Sequence, residues 1–237
     1  MTLVAAGPAP RAADAAAVHF FEFRRDGLHP VRLVRVDLAV VVGGTLVAYV
    51  ADVSGHGVPA GTLMAGLKSA ARMGLRAPAS ISELLEDLNA VLLEIARPNM
   101  FATAAGLRLP TKGDATYALA GHLPVLHLRA STRAVDRLTN GQVALGILAG
   151  AAYSETAVTL REGDTLALVT DGLTEVEDRG GRELGLDGIE AVLRAQGDEP
   201  LDRLLDAILA AAREQGPQLD DQTVLLVRIW RSRWPGN

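Results

Sequence analysis

The sequence of 237 residues contains no cysteine. Disulfides, thiolate metal sites and cysteine nucleophiles are therefore excluded, and any metal must sit on oxygen or imidazole ligands. Aromatic residues are scarce, at 4% against 49% hydrophobic overall. The core must be built from Ala, Val, Leu and Ile, a composition that suits a packed protein of helices and strands and argues against wholesale disorder. Positive charge is not in excess: the formal net charge is −5. A mildly acidic chain carries no electrostatic footprint for nucleic acid, so no such partner is expected. Long hydrophobic runs are missing too. The longest, between Asp37 and Asp52, has fourteen residues split by Gly43-Gly44, too short to span a bilayer. No membrane partner is expected, and a soluble cytoplasmic protein is the default. Residues 1–17 are rich in Ala and Pro without the pattern of a signal peptide, and read as a disordered leader. Residues 18–231 read as a single domain and 232–237 as a short polar tail.

What is present begins with that apolar run, which reads as a β-hairpin. Leu38–Val42 and Thr45–Val50 are apolar and β-branched, with Gly-Gly as a two-residue turn. Val58–Leu75 has helical spacing, with Pro59 in its first turn. A second helix follows from Ser80, an N-cap with Glu83 completing a capping box, and runs to about Ala96. The period then changes. Phe101–Leu109, Ala115–Ala120, Val125–Arg129, Ala134–Leu138, Thr156–Leu160 and Thr165–Thr170 read as short strands, the last two joined by an Arg-Glu-Gly-Asp turn at 161–164. Helices over Leu186–Ala195 and Pro200–Gln215 and a strand over Thr223–Trp230 complete the chain. This order lacks the regular alternation of a parallel sheet and points to an α+β fold with antiparallel sheets and helices packed outside.

Three acidic positions lie where strands end: Asp52, Asp171, and the pair Asp220-Asp221 before the last strand. Carboxylates beside glycines that permit close approach suit hard cations, and oxygen donors favour Mg²⁺ or Mn²⁺. Two ions held close together can bind one phosphate and lower the pKa of a shared water, which then attacks phosphorus in line. An Asp at a strand-to-loop junction is also an ordinary turn or cap residue, and spacing alone does not make the three converge. His56, between two glycines, reads either as a proton donor or phosphate contact, or as a brace for its loop. His122 reads as structural, and His19, His29 and His127 show no pairing pattern.

Seven ordered blocks carry more information: Asp-Val-Ser-Gly-His-Gly-Val-Pro-Ala at 52–60, Met-Phe-Ala-Thr at 100–103, Ala-Gly-His-Leu-Pro at 120–124, Leu-Gly-Ile at 145–147, Gly-Asp at 163–164, Thr-Asp-Gly-Leu-Thr-Glu at 170–175 and Asp-Asp-Gln-Thr at 220–223. Together they resemble the SpoIIE-type branch of the protein phosphatase 2C (PPM) superfamily, over about residues 37–230. The resemblance implies a four-layer α-β-β-α sandwich of two antiparallel sheets flanked by helices. It implies a protein serine/threonine phosphatase using two Mn²⁺ or Mg²⁺ ions. The ligands it implies are Asp52, the backbone carbonyl of Val53, Asp171 and Asp220, with Asp37, His56, Gly172 and Asp221 around them. The substrate it implies is a phosphorylated regulator such as an anti-sigma factor antagonist, with control by a separate regulatory protein or by self-association.

One departure stands out. The family usually opens with a Gly-Asp-Tyr-Tyr-Asp-like block, whereas this chain has Leu33-Val34-Arg35-Val36-Asp37. Only Asp37 remains, and Val34 can neither ligate a cation nor accept a hydrogen bond from its water. This motivates a second reading, a catalytically weak or dead binding module in a partner-switching pathway. Retention of Asp52, Asp171 and Asp220 favours the enzyme.

Overall fold

The computed structural model describes residues 18–21, 35–42, 45–55, 57–75, 80–96, 98–110 and 114–229. The leader over 1–17, the tail over 232–237, Val34 and His56 lie outside these residues. In chain order the described elements are β1 (Val18–Phe21), β2 (Arg35–Val42), β3 (Thr45–Val53), α1 (Gly57–Gly74), α2 (Ile81–Ile95), β4 (Ala102–Pro110), β5 (Ala115–Ala120), β6 (Val125–Leu128), β7 (Val135–Leu138), β8 (Thr156–Val158), β9 (Thr165–Val169), α3 (Asp171–Thr174), α4 (Gly185–Gln196), α5 (Leu201–Gln215) and β10 (Val224–Ile229). They form two five-stranded antiparallel sheets with helices, so the class is α+β as expected. The chain divides into two compact units whose segments alternate along the sequence, one carrying Asp52 and the other Asp171.

The Asp52 unit has strand order β2-β3-β4-β5-β8. The expected hairpin is present, with Val42 paired to Thr45 and the register running to Arg35 opposite Asp52. β3 is buried along its length except at Asp52, which is half-buried. Helices α1 and α2 pack on each other and on this sheet. Their apolar faces, including Leu63, Leu67, Leu84, Leu88 and Leu92, form one cluster with Tyr49 of β3. Each such leucine stabilises by about 1.5–3 kcal/mol through burial. Gly106 in β4 lets the cluster close, since a Cβ there would lie 2.6 Å from Ile81 of α2.

Helix α2 starts as its sequence predicts. The Ser80 hydroxyl accepts the Glu83 N–H at 3.1 Å, and the Glu83 carboxylate accepts the Ser80 N–H at 3.0 Å. That backbone bond from Ser80 holds the Glu83 carboxyl below its usual range. A further partner comes from far along the chain: the Glu155 carboxylate accepts the N–H groups of Ile81 and Ser82 and the Thr116 hydroxyl. It satisfies donors that a helix N-terminus leaves open and places negative charge at the positive end of the helix dipole.

The Asp171 unit has strand order β1-β10-β9-β6-β7, with α4 and α5 packed on it. Here the interior includes charged groups. Asp164 is buried and accepts from His127 Nε2 at 3.0 Å, the Ala130 N–H at 3.0 Å and the Arg161 N–H at 2.9 Å. His127, which showed no pairing pattern in sequence, is therefore a buried partner of the Gly-Asp block. Glu190 of α4 is buried against Arg137 and Arg194. Its contact and that of Asp187 raise the Arg137 guanidinium further above its usual range. Buried Arg228 donates to the carbonyls of Gly197 and Glu199 beyond the end of α4 and to the Thr165 hydroxyl. Burial pushes its pKa down.

Most strand and helix boundaries fall within a few residues of their expected places. The turn at 161–164 closes with the Asp164 N–H on the Arg161 carbonyl at 3.1 Å. The strands it joins, β8 and β9, belong to different sheets. Two elements were not anticipated: β1, and the four-residue helix α3 that begins at Asp171.

Candidate functional site

In the Asp52 unit, register fixes the candidate residues. Asp52 lies opposite Arg35 on one side and Thr103 on the other, and Val53 opposite Ala102. Asp37 lies opposite Val50, one strand over and two residues along from Asp52. Beyond Val53 the pairing is prolonged by two bonds. The Ser54 N–H donates to the Phe101 carbonyl at 2.8 Å, and the Phe101 N–H donates to the Ser54 hydroxyl at 2.9 Å. Asp52 is thus part of β3 rather than of the loop after it. The loop leaves through Gly55 and Gly57, at φ of +91° and +78° with open space around both. Glycine is needed there for its backbone conformation, not for room.

In the Asp171 unit, the end of β9 and the start of β10 are brought together. Val169 pairs with Val224, and the zipper continues when the Thr170 hydroxyl accepts the Thr223 N–H at 2.9 Å. Thr170 occupies the N-cap position of α3 without a side-chain cap bond, and Asp171 is the first residue of that helix. The Asp171 carboxylate accepts the Gly172 N–H at 2.9 Å, and the Asp220 carboxylate accepts the Asp221 N–H at 2.7 Å. Gly172 sits directly on the Asp220-Asp221 backbone. A Cβ there would come within 2.1 Å of the Asp221 carbonyl oxygen, a contact no side chain tolerates. Glycine at 172 is what lets the first turn of α3 approach the two aspartates.

Negative charge accumulates at this end. Glu175, one helical turn beyond Asp171, donates its N–H to the Asp171 carbonyl at 2.7 Å. Its carboxyl is pushed above the usual range by partial burial first, then by the charges of Asp171, Glu183 and Asp220. None of Asp171, Glu175 and Asp220 forms an ion pair with a described residue. Uncompensated carboxylates with hard oxygen donors fit Mg²⁺ or Mn²⁺. Among the described residues, no three His, Asp or Glu side chains gather tightly enough to enclose an ion by themselves.

Of the expected residues, the structure groups Asp171, Gly172, Asp220 and Asp221 in one unit and Asp52, Val53 and Asp37 in the other. Glu175 was not singled out from sequence. Its signal was available in the four-residue spacing from Asp171, which puts both on one face of a helical turn.

Comparison with known proteins agrees with these motifs. The family model described as Stage II sporulation protein E (SpoIIE) matches residues 42–230. The chain belongs to the SpoIIE family. It is 29% identical over 183 residues to the phosphoserine phosphatase RsbU of Bacillus subtilis (strain 168), covering 75% of this chain and 53% of RsbU. The chain therefore spans about half the length of that curated relative. Among solved structures it resembles the RsbU and RsbW domains of a Mycobacterium tuberculosis protein, with a TM-score of 0.76 and 25% identity over 92% of this chain and 61% of that one. It resembles the SiaA-PP2C domain of Pseudomonas aeruginosa with a TM-score of 0.75 and 21% identity, covering 89% and 85% of the two chains. RsbX, solved in complex with magnesium, has the same fold at a TM-score of 0.64 and 18% identity, over 90% of this chain and 94% of RsbX. The fold of this SpoIIE-family chain is thus that of the PP2C-type phosphatase domains. None of its described helices is long and apolar enough to cross a membrane.

Proposed function

We propose that this chain is a metal-dependent protein serine/threonine phosphatase, with residues 18–231 acting as one catalytic domain. The observation that carries the reading is the glycine contact at 172, which lets Asp171 approach the Asp220-Asp221 backbone, together with Asp171 and Asp220 forming no ion pair with a described residue. Asp52, Asp171 and Asp220 are the catalytic carboxylates, and the Val53 carbonyl is a fourth ligand. Two Mn²⁺ or Mg²⁺ ions bound by them would supply Lewis-acid stabilisation of the phosphoryl oxygens and a water acidic enough to act near neutral pH. The RsbX complex with magnesium supports the choice of metal. Gly172 and Asp221 keep the Asp171–Asp220 pair in place, and Asp37 and His56 are assigned supporting roles outside the ligand set.

The substrate in this reading is a phosphoserine or phosphothreonine on a protein regulator, of the anti-sigma factor antagonist kind. RsbU, described as a phosphoserine phosphatase, supports that class. Control would come from a separate regulatory protein or from self-association, and the setting would be cytoplasmic. Purified protein with Mn²⁺ is expected to hydrolyse an aryl phosphate, and Asp171→Asn to abolish it. Turnover no greater than that of the Asp171→Asn control overturns the enzyme and leaves the binding module motivated by Val34. Val34→Asp is expected to tighten metal binding and raise the rate. Unchanged values would show that the missing acid is immaterial.

A further inference from the structure

We propose that Thr103 and His122 form a positioning pair for Asp52. The proposal rests on the reading of Asp52 as a metal ligand and extends it to two residues with no part in that reading. The His122 Nδ1 and the Thr103 hydroxyl share a hydrogen bond of 2.7 Å. Thr103 is the direct cross-strand partner of Asp52 in the β3–β4 pairing. Side chains opposite each other in an antiparallel pair lie on one face, with Cβ atoms about 4.5–5.5 Å apart. The imidazole is thereby tied to the residue that pairs with Asp52 across β3 and β4.

The chain goes to some length to put His122 there. β5 ends at Ala120, and Gly121 turns with φ of +64°. It makes a parallel bridge to Ala104 and donates its N–H to the Gln142 carbonyl at 2.9 Å. A Cβ at 121 would meet Ala144 at 2.7 Å, so both the conformation and the space require glycine. The end of β3 is already secured through backbone and hydroxyl bonds. Ser54 binds Phe101, and Ala102 exchanges bonds with Leu145 at 3.0 and 2.8 Å. Those bonds hold the strand ends. The Thr103–His122 pair acts at the level of side chains, on the strand that pairs with Asp52. A threonine hydroxyl left to rotate would sample several rotamers, whereas one bound to an imidazole is held in one, which fixes the side chain opposite Asp52. Partners that orient a metal ligand in this way typically change metal affinity ten- to a hundredfold when removed.

Isothermal titration of the purified chain with Mn²⁺ tests this, with the thermal melt of the metal-free protein as a control for folding. Thr103→Val keeps the β-branched shape and removes the hydroxyl. It is expected to weaken Mn²⁺ binding about tenfold or more, while Thr103→Ser stays near wild type. His122→Gln should weaken binding similarly, and combining either change with Asp52→Asn should add nothing. If Asp52→Asn weakens binding but Thr103→Val, folded as judged by its melt, does not, the positioning pair is refuted and the metal site stands. If Asp52→Asn itself leaves binding unchanged, the reading of Asp52 as a ligand fails first. A loss in Thr103→Val that Thr103→Ser shares equally also refutes the pair, because it would reflect packing rather than the hydroxyl.

Discussion

The two units solve the same packing problem with different materials. In the Asp52 unit, two helices lie on a sheet through an apolar cluster of leucines and alanines around Tyr49. Among the described residues its buried polar groups are uncharged, as with Asn89 on the Leu148 carbonyl and Gly146 N–H, while Glu155 acts at the margin at the start of α2. In the Asp171 unit, charged side chains sit within the packing: Asp164 with His127, Glu190 with two arginines, and Arg228 on the carbonyls beyond α4. Apolar contact is tolerant of small shifts, whereas a buried carboxylate needs its donors at fixed places. The unit that carries Asp171 and Asp220 is thus the one whose interior holds charged groups fixed by directional bonds.

The sharpest way to break this comparison is at Asp164. Asp164→Ala leaves buried His127 without its partner and removes the acceptor of the Ala130 and Arg161 N–H groups, and is expected to destabilise by about 3–5 kcal/mol. Leu88→Ala in the other unit removes only apolar contact and should cost about 2–5 kcal/mol, set by how far the cluster collapses. Chemical denaturation of both variants checks the pair. A cost below about 1 kcal/mol for Asp164→Ala would show the hub to be dispensable.

A smaller effect on stability, with a large one on function, is expected at Gly172. Gly172→Ala drives a methyl group into the Asp221 carbonyl and should cost about 1–3 kcal/mol. Because the clash pushes α3 away from Asp220, Mn²⁺-dependent turnover should fall far more than the folded fraction does. Equal losses in the two measurements would mean that the glycine serves packing alone.

The same contrast explains what could be read from sequence. The Asp52 unit was largely legible because its signals are local. The hairpin around Gly43-Gly44, the helical spacing of α1 and the Ser80–Glu83 capping box all lie within a few residues of what they determine. The hubs of the Asp171 unit are long-range. His127 and Asp164 are 37 residues apart in the chain, and nothing in the neighbourhood of His127 announces a partner. Helix α3 is one turn long, too short for a periodic pattern, so Asp171 read as a strand end rather than a helix start. Strand β1 has four residues and takes its identity from pairing with β10. Glu155, 74 residues from Ile81, escaped for the same reason as His127. For the site, the motifs named Asp52, Asp171 and Asp220. They did not reveal that Gly172 is shaped to the Asp221 carbonyl, or that Thr103 and His122 are bonded.

The subtlest test concerns the charge that gathers near Asp171. The Glu175 carboxyl is raised in the folded chain, so folding favours its protonated form. Its ionisation therefore opposes stability. The cost is absent below the unfolded pKa of about 4.3 and fully present above the raised folded value. Glu175→Gln is expected to raise the melting temperature of the metal-free protein slightly at pH 7 and to leave it unchanged near pH 3.5. Saturating Mn²⁺ should shrink the difference at pH 7, because a bound cation relieves the repulsion that Asp171 and Asp220 exert on Glu175. If instead the variant is less stable at neutral pH, the glutamate has a compensating partner, and the negative end of the Asp171 unit is balanced without a metal.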